Sequence, residues 1–264
     1  MIEVRLQLEQ EMGEPITLDA LTAGWRIAQR KNGHRHSIDD VLTAWYALEV
    51  SPPVREYLDL GTGIGTVGLL TLWGMGAAAR LTCVEAQAVS YRLLRANIEM
   101  NGLEQRVTSV HGDLRELALG QKFPLITGSP PYFPRGTGVL PQDSQKAHAR
   151  FELRGDVSDY ALAAAAHLSD GGWFILCFPS PQKQRAWSGI EAAGLKVVRW
   201  REVIPRESLA PLFTLFACQW NVAGSAVEEE PFMVRHLDGR LTAQMAAVRR
   251  VFGFADGEAH GGYG

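Results

Sequence analysis

The stretch 57–70, Y-L-D-L-G-T-G-I-G-T-V-G-L-L, is the densest group of residues able to handle a ligand. Glycines at 61, 63 and 65 let the backbone approach a bound molecule where a Cβ would collide. The spacing is not that of a dinucleotide site, whose third glycine falls where this chain has Thr66, and a P-loop's closing Gly-Lys-Ser/Thr is absent. Three acids accompany the turn: Asp59 just before it, Glu85 in V-E-A, and Asp113 in V-H-G-D-L. A second stretch, T-G-S-P-P-Y-F at 127–133, places the Ser129 hydroxyl ahead of two prolines of fixed φ and two aromatic rings. Such a corner holds a hydrogen-bond acceptor and a stacking surface still.

The elements that must position these residues follow from periodicity. Apolar runs at 57–60, 80–84, 106–111 and 123–128 predict strands, with helices at 65–75 and 87–100, the latter stopped by Asn101-Gly102. An Ala-rich helix is predicted over 156–169, ended by Asp-Gly-Gly at 170–172. The run 173–178 is too uniformly apolar for a half-exposed strand and reads as central and buried on both faces. A helix at 182–193 and strands near 195–203 and 212–220 complete the set, and 221–231 reads as a linker. Alternation of this kind means a parallel sheet with helices on both faces, closed by an antiparallel edge hairpin. The glycine turn then lies at the carboxyl edge of the sheet, where such folds bind ligands.

Bulk composition narrows the partners. The chain has 264 residues, 46% hydrophobic and 21% charged, which is ordinary for a soluble globular protein. No run of about 18 apolar residues exists, so no transmembrane helix is expected, and the first fifteen residues lack a signal-peptide core, so a cytoplasmic protein is expected. Cys83, Cys177 and Cys218 lie far apart in apolar runs and read as buried small hydrophobes; the seven histidines have no metal-ligand spacing, so no metal is expected. A net charge of −3 argues against a surface coated in nucleic acid and leaves room for a local basic patch. Arg26, Arg30, Lys31 and Arg35 form one basic cluster, Arg135, Lys146, Arg150 and Arg154 a second, and Arg249-Arg250 a third. Trp25, Tyr132, Phe133 and Phe151 supply the aromatics that single-stranded recognition requires.

With its three acids after three consecutive strands, the glycine turn resembles that of class I S-adenosylmethionine-dependent methyltransferases. The resemblance implies a Rossmann-like, doubly wound, seven-stranded α/β sheet, mostly parallel with an antiparallel edge hairpin. It implies S-adenosyl-L-methionine as cofactor, held by Asp59, Gly61, Thr62, Gly63 and Gly65, by Glu85 at the ribose, and by Gly112, Asp113 and Leu114 at the adenine. Members that methylate planar amines carry N/D/S-P-P-Y/F/W after the fourth strand. A base amine is a poor nucleophile because its lone pair is conjugated into the ring. Two fixed acceptors, a side chain and the first proline's carbonyl, hold its N–H bonds and aim the lone pair, while the aromatic stacks on the extruded base. Here the resemblance implies Ser129, Pro130, Pro131 and Tyr132 as the catalytic corner, Ser129 also touching the cofactor, and Phe133 lining the substrate pocket.

Four stretches resemble a narrower group, bacterial enzymes that methylate N6 of the adenosine 3′ of the anticodon in a valine tRNA. They are I-T-L-D-A-L-T-A-G-W-R-I-A-Q-R-K-N-G-H-R-H-S-I-D-D-V-L-T-A before the sheet, D-L-G-T-G-I-G, P-P-Y-F-P with A-H-A-R-F-E-L after it, and the tail P-F-M-V-R-H-L-D-G-R-L-T. The resemblance implies tRNA as substrate, Ser37 and Asp39 near the cofactor, Arg35 and Arg150 on the substrate, and a loop at 134–155 closing over the base. It divides the chain into an N-terminal cap (1–54), a catalytic domain (55–222), a C-terminal extension (223–254) and a disordered tail (255–264). Three features depart from the group: Ser129 replaces asparagine, His34 and His36 replace two aromatics, and the net charge is acidic. Serine reaches less far, so N4 of cytosine stays open beside N6 of adenine, as do a protein glutamine amide and a non-catalytic cofactor- or RNA-binding role. The oligomeric state is left open.

Overall fold

The computed structural model describes residues 1–134, 136, 143–220 and 222–255. The expectations for Arg135, for 137–142 of the loop and for the tail at 256–264 lie outside the described residues. The chain opens with α1 (Ile2–Met12), a hairpin of β1 (Ile16–Ala20) and β2 (Arg26–Arg30), and α2 (Ile38–Val50). The alternating core follows: β3 (Glu56–Leu60), α3 (Thr66–Met75), β4 (Arg80–Glu85), α4 (Ala88–Met100), β5 (Val107–His111) and β6 (Phe123–Gly128). Then come α5 (Ser144–Arg150), α6 (Val157–His167), β7 (Leu168–Pro179), α7 (Lys183–Ala192), β8 (Leu195–Ile204) and β9 (Phe213–Trp220). Two-residue strands β10 (Val227–Glu228) and β11 (Phe232–Met233), then α8 (Ala243–Val251), finish the described chain.

The main sheet runs β10-β8-β9-β7-β6-β3-β4-β5, with β11 also pairing β8. Strands β7, β6, β3, β4 and β5 are mutually parallel, and β9 is antiparallel to both of its neighbours. Helices cover both faces, so the doubly wound α/β class stands. Phe174 to Phe178 of β7 are fully buried, as their unbroken apolar run requires. One face carries a cluster in which Leu8, Ile16, Ile27, Leu42 and Tyr46 of the first fifty residues join Leu69, Leu81 and Leu94. The other packs α6 and α7 through Tyr160, Ala164, Ala186 and Ile190.

Three expectations need correction. Among the described residues the sheet has nine strands rather than seven, because β10 and β11 lie parallel along the outer edge of β8. The β8–β9 hairpin is therefore not the edge; its unpaired backbone groups are covered by β10, inside the segment 221–231 that reads in the sequence as a linker, and by β11 just beyond it. That segment is fastened further by Glu229, which accepts from Tyr46 Oη at 2.9 Å and pairs with Arg199 and Arg201. Finally, Asp170-Gly171-Gly172 does not terminate α6 but forms a bulge inside β7, where pairing with β6 jumps from Leu168 to Trp173 and Gly171 has φ 69°.

The strand order reverses at β3, which pairs β4 on one side and β6 on the other. Their carboxyl ends form the switch-point crevice, with the glycine turn leaving β3 and the Ser-Pro-Pro-Tyr corner leaving β6.

Candidate active site

Past β3 the chain turns through Gly61, Gly63 and Gly65 with φ of 59°, 60° and 99°, conformations that side-chain-bearing residues avoid. Asp59 is only 1% exposed. Its Oδ2 accepts from Thr62 Oγ1 at 2.5 Å and the Gly68 N–H at 3.0 Å, and its Oδ1 accepts from Thr127 Oγ1 at 2.6 Å. The carboxylate thus ties the turn to the first turn of α3 and to β6, and burial pushes it up to about 6. Glu85, at the end of β4, accepts the Gly63 N–H on Oε2 at 2.8 Å and the Gln87 N–H on Oε1 at 2.7 Å. Burial raises its carboxyl as well. Asp113 after β5 is the opposite case: it accepts from the Arg115 backbone and guanidinium, which hold its carboxyl below the usual range.

The corner after β6 is held by distant parts of the chain. The Tyr132 and Phe133 N–H groups both donate to the Arg150 carbonyl at the end of α5, at 3.0 and 2.9 Å. Gln182 Nε2 donates to the Tyr132 carbonyl at 3.2 Å. The Tyr132 hydroxyl donates to Asp39 Oδ2 at 2.5 Å, burial raises its pKa, and its ring meets Phe178 edge-on. Asp39 also receives the Ser37 hydroxyl on Oδ1, at the start of α2. Phe133 is 44% exposed and leans on Phe151, centroids 5.5 Å apart.

Both groups open onto one cavity of about 470 Å³. Ser37, Asp39, Asp59, Gly61, Thr62, Gly63, Glu85, Gly112, Asp113, Leu114, Ser129, Pro130, Pro131, Tyr132, Phe133 and Arg150 all line it. Two residues singled out in the sequence do not. Gly65 caps α3, and a Cβ there would lie 2.8 Å from Leu94 Cδ1, so its bareness serves packing. Arg35 is bound to Thr17 Oγ1 at 2.8 Å and Asp19 Oδ2 at 3.0 Å, on β1.

The basic clusters converge only in part. Arg150 and Arg154 line the cavity, but Arg30 is paired with Glu14 and Asp143, and Trp25 packs edge-on to Trp73. Among the described residues no group of three His, Cys, Asp or Glu is placed to hold a metal, and no helix is long and apolar enough to cross a membrane.

Sequence patterning misses several cavity residues. Tyr160 of α6 fills the space two glycines leave: a Cβ on Gly61 would sit 1.8 Å from its Oη, and one on Gly128 3.0 Å from its Cδ1. Its one signal is a lone ring in the first turn of an Ala-rich helix. Gln145 of α5 is 1% exposed, accepting from the His34 N–H at 3.3 Å and donating to Ser90 Oγ at 3.2 Å. His34 lines the cavity with Asp39 facing it from α2 and Arg150 and Lys146 from α5; burial lowers its pKa.

Comparison with known proteins fits this geometry. The family model described as methyltransferase small domain matches residues 41–178. The chain is similar to the tRNA1(Val) (adenine(37)-N6)-methyltransferase of Actinobacillus pleuropneumoniae serotype 7, 24% identical over 200 residues that cover 75% of this chain and 82% of that protein. The protein of the same name from Mannheimia succiniciproducens is 26% identical over 219 residues, covering 80% and 84%. Among solved structures, a predicted O-methyltransferase from Agrobacterium tumefaciens superposes with a TM-score of 0.60 at 17% identity, covering 81% of this chain and 97% of that one, a likeness of fold.

Proposed function

The chain belongs to the methyltransferase small domain family, and from that premise we propose that it transfers a methyl group from S-adenosyl-L-methionine to N6 of an adenine in tRNA. The observation that carries this is the single cavity in which the glycine turn of β3 meets the Ser-Pro-Pro-Tyr corner of β6. The names of the curated relatives support tRNA and adenine N6 as the target. Acting on tRNA, the protein works in the cytoplasm, with residues 1–54 serving as a cap.

The residues present fit the cofactor. A Cβ at Gly63 would meet nothing within 4 Å, so the turn faces open space there, and the acids Glu85 and Asp113 stand at successive strand ends along the same cavity. Glu85 would take the ribose hydroxyls and Asp113 the adenine amine, with Gly112 and Leu114 beside it. When bound, S-adenosyl-L-methionine supplies a methyl group on a cationic sulfur.

The chain's own work is orientation. Ser129 Oγ and the Pro130 carbonyl accept the two amine hydrogens, drawing the lone pair out of conjugation and toward the methyl carbon. Tyr132, its hydroxyl anchored on Asp39, offers a fixed ring for the base to stack on, and Phe133 and Arg150 border the entrance. The amine proton leaves after transfer, so no strong base is required.

Incubation with labelled S-adenosyl-L-methionine and unmodified tRNA, followed by nucleoside analysis, should yield N6-methyladenosine. Label recovered only as a cytidine derivative would overturn the base assignment. Label that survives ribonuclease in protein would favour a glutamine amide instead, and cofactor binding with no transfer to any substrate would favour a non-catalytic module.

A further inference from the structure

Serine and asparagine differ at this corner in one chemical respect. An asparagine carbonyl can only accept, whereas a serine hydroxyl carries a proton of its own and can point it at the amine it should receive. A hydroxyl proton aimed into the cavity would face the amine N–H, and the acceptor would be lost.

The group next to that hydroxyl is a thiol. Cys177 of β7 is fully buried, with Sγ 3.4 Å from Ser129 Oγ and 3.3 Å from Tyr132 Oη. Burial pushes the thiol up to about 12, so the sulfur keeps its proton at neutral pH. The neighbours then settle where each proton points. Tyr132 gives its proton to Asp39 Oδ2. Its oxygen lies 3.3 Å from Cys177 Sγ and, with its own proton committed to Asp39, can only accept from the thiol. The sulfur's lone pairs are left for Ser129.

We propose that Cys177 is a positioning residue that draws the Ser129 hydroxyl proton away from the cavity and so makes this serine an acceptor only. The chain of donors runs Ser129 to Cys177 to Tyr132 to the Asp39 carboxylate, and it ties the corner to α2. The inference rests on the amine-methylation reading above. It gives Cys177 a task beyond that of the small buried hydrophobe its apolar run suggests, and it accounts for how a serine works where relatives of the resembled group carry asparagine.

Cys177→Ala should lower kcat about tenfold, the size of one misdirected hydrogen bond, with little change in KM for tRNA. Cys177→Ser, whose hydroxyl can donate to the Tyr132 oxygen and accept from Ser129, should recover most of the loss. On a Ser129→Asn background the penalty of Cys177→Ala should shrink below about twofold, because a carbonyl has no proton to direct. Equal penalties on both backgrounds would mark Cys177 as packing only and overturn the proposal. An infrared measurement is independent of turnover: the thiol stretching band that Cys177→Ala removes should shift in Ser129→Ala. An unmoved band overturns the proposal whatever the enzyme does. A shifted band with no methylated nucleoside overturns the proposed function and leaves the hydrogen-bond chain standing.

Discussion

The two halves of the cavity are built differently. Under the glycine turn, the ligand-facing groups come from consecutive strand ends and are fixed by short-range bonds: Glu85 by Gln87 and across one strand by Gly63, Asp113 by Arg115. At the corner, Tyr132 is held by Asp39 from 93 residues upstream, by the Arg150 carbonyl, and by Gln182 after β7. The first half is set by the sheet's own geometry and the second by tertiary packing around it. A change in the first should therefore fail through backbone shape, and a change in the second through loss of a distant partner.

The strongest test of that contrast is Gly61→Ala. The new Cβ would land 1.8 Å from Tyr160 Oη at a residue whose φ is 59°. Overpacking and backbone strain together should cost cofactor affinity about a hundredfold by calorimetry. Adding Tyr160→Ala should return part of it. Wild-type affinity in Gly61→Ala would show that the turn's shape does not govern the first half.

The next effect concerns charge. Asp59 rises from the usual 3.8 to about 6 through burial, so the folded state binds that proton more tightly than the unfolded chain does. Its contribution to stability is then fully present below pH 3.8 and is lost as pH rises toward 6, on the order of 3 kcal/mol in all. Glu85 is shifted the same way. Asp113 is held low by Arg115, so its contribution has the opposite sign, present above the usual carboxylate range and lost as acid is added. Denaturant melts across pH 4 to 7 should show a fall with rising pH that Asp59→Asn flattens; an unchanged slope would place that carboxylate outside the buried network.

How much of this was legible in the chain follows from the same contrast. The β3 turn, its three acids and the β6 corner could be read because each is local: a strand, a break and a residue type within a few positions. The doubly wound class followed from their alternation. The nine-strand count did not, since β10 and β11 are two residues each and owe their existence to the open edge of β8. Tyr160 escaped notice because nothing in an Ala-rich helix says that two glycines elsewhere leave room for its ring. Arg35 read as a substrate contact by resemblance, and its partner on β1 was invisible until the hairpin folded back on it.

A smaller effect tests the corner's anchorage. Asp39 receives Ser37 on one oxygen and Tyr132 on the other. An asparagine offers one acceptor and one donor, so Asp39→Asn sets an N–H against one of the two hydroxyls. The Tyr132 ring would lose its fixed angle, and kcat should fall about tenfold with a lesser change in KM. Tyr132→Phe should behave similarly; full activity in it would mean that packing against Phe178 alone holds the ring.

The smallest predicted difference separates two arginines that the sequence treats alike. Arg150 is exposed at the cavity mouth, while Arg35 has spent its guanidinium on Thr17 and Asp19. A cation already paired with a carboxylate releases few counterions when a phosphate approaches, because the local charge is near neutral. One with no carboxylate partner among the described residues, as at Arg150, attracts the tRNA backbone directly. Arg150→Ala should weaken tRNA binding several-fold and reduce the salt slope by about one, whereas Arg35→Ala should change affinity less than about twofold. Binding isotherms for both variants over a range of salt concentrations check this. Should Arg35→Ala prove the more damaging, the β1–β2 hairpin, and not the corner, would be the surface that first meets the RNA.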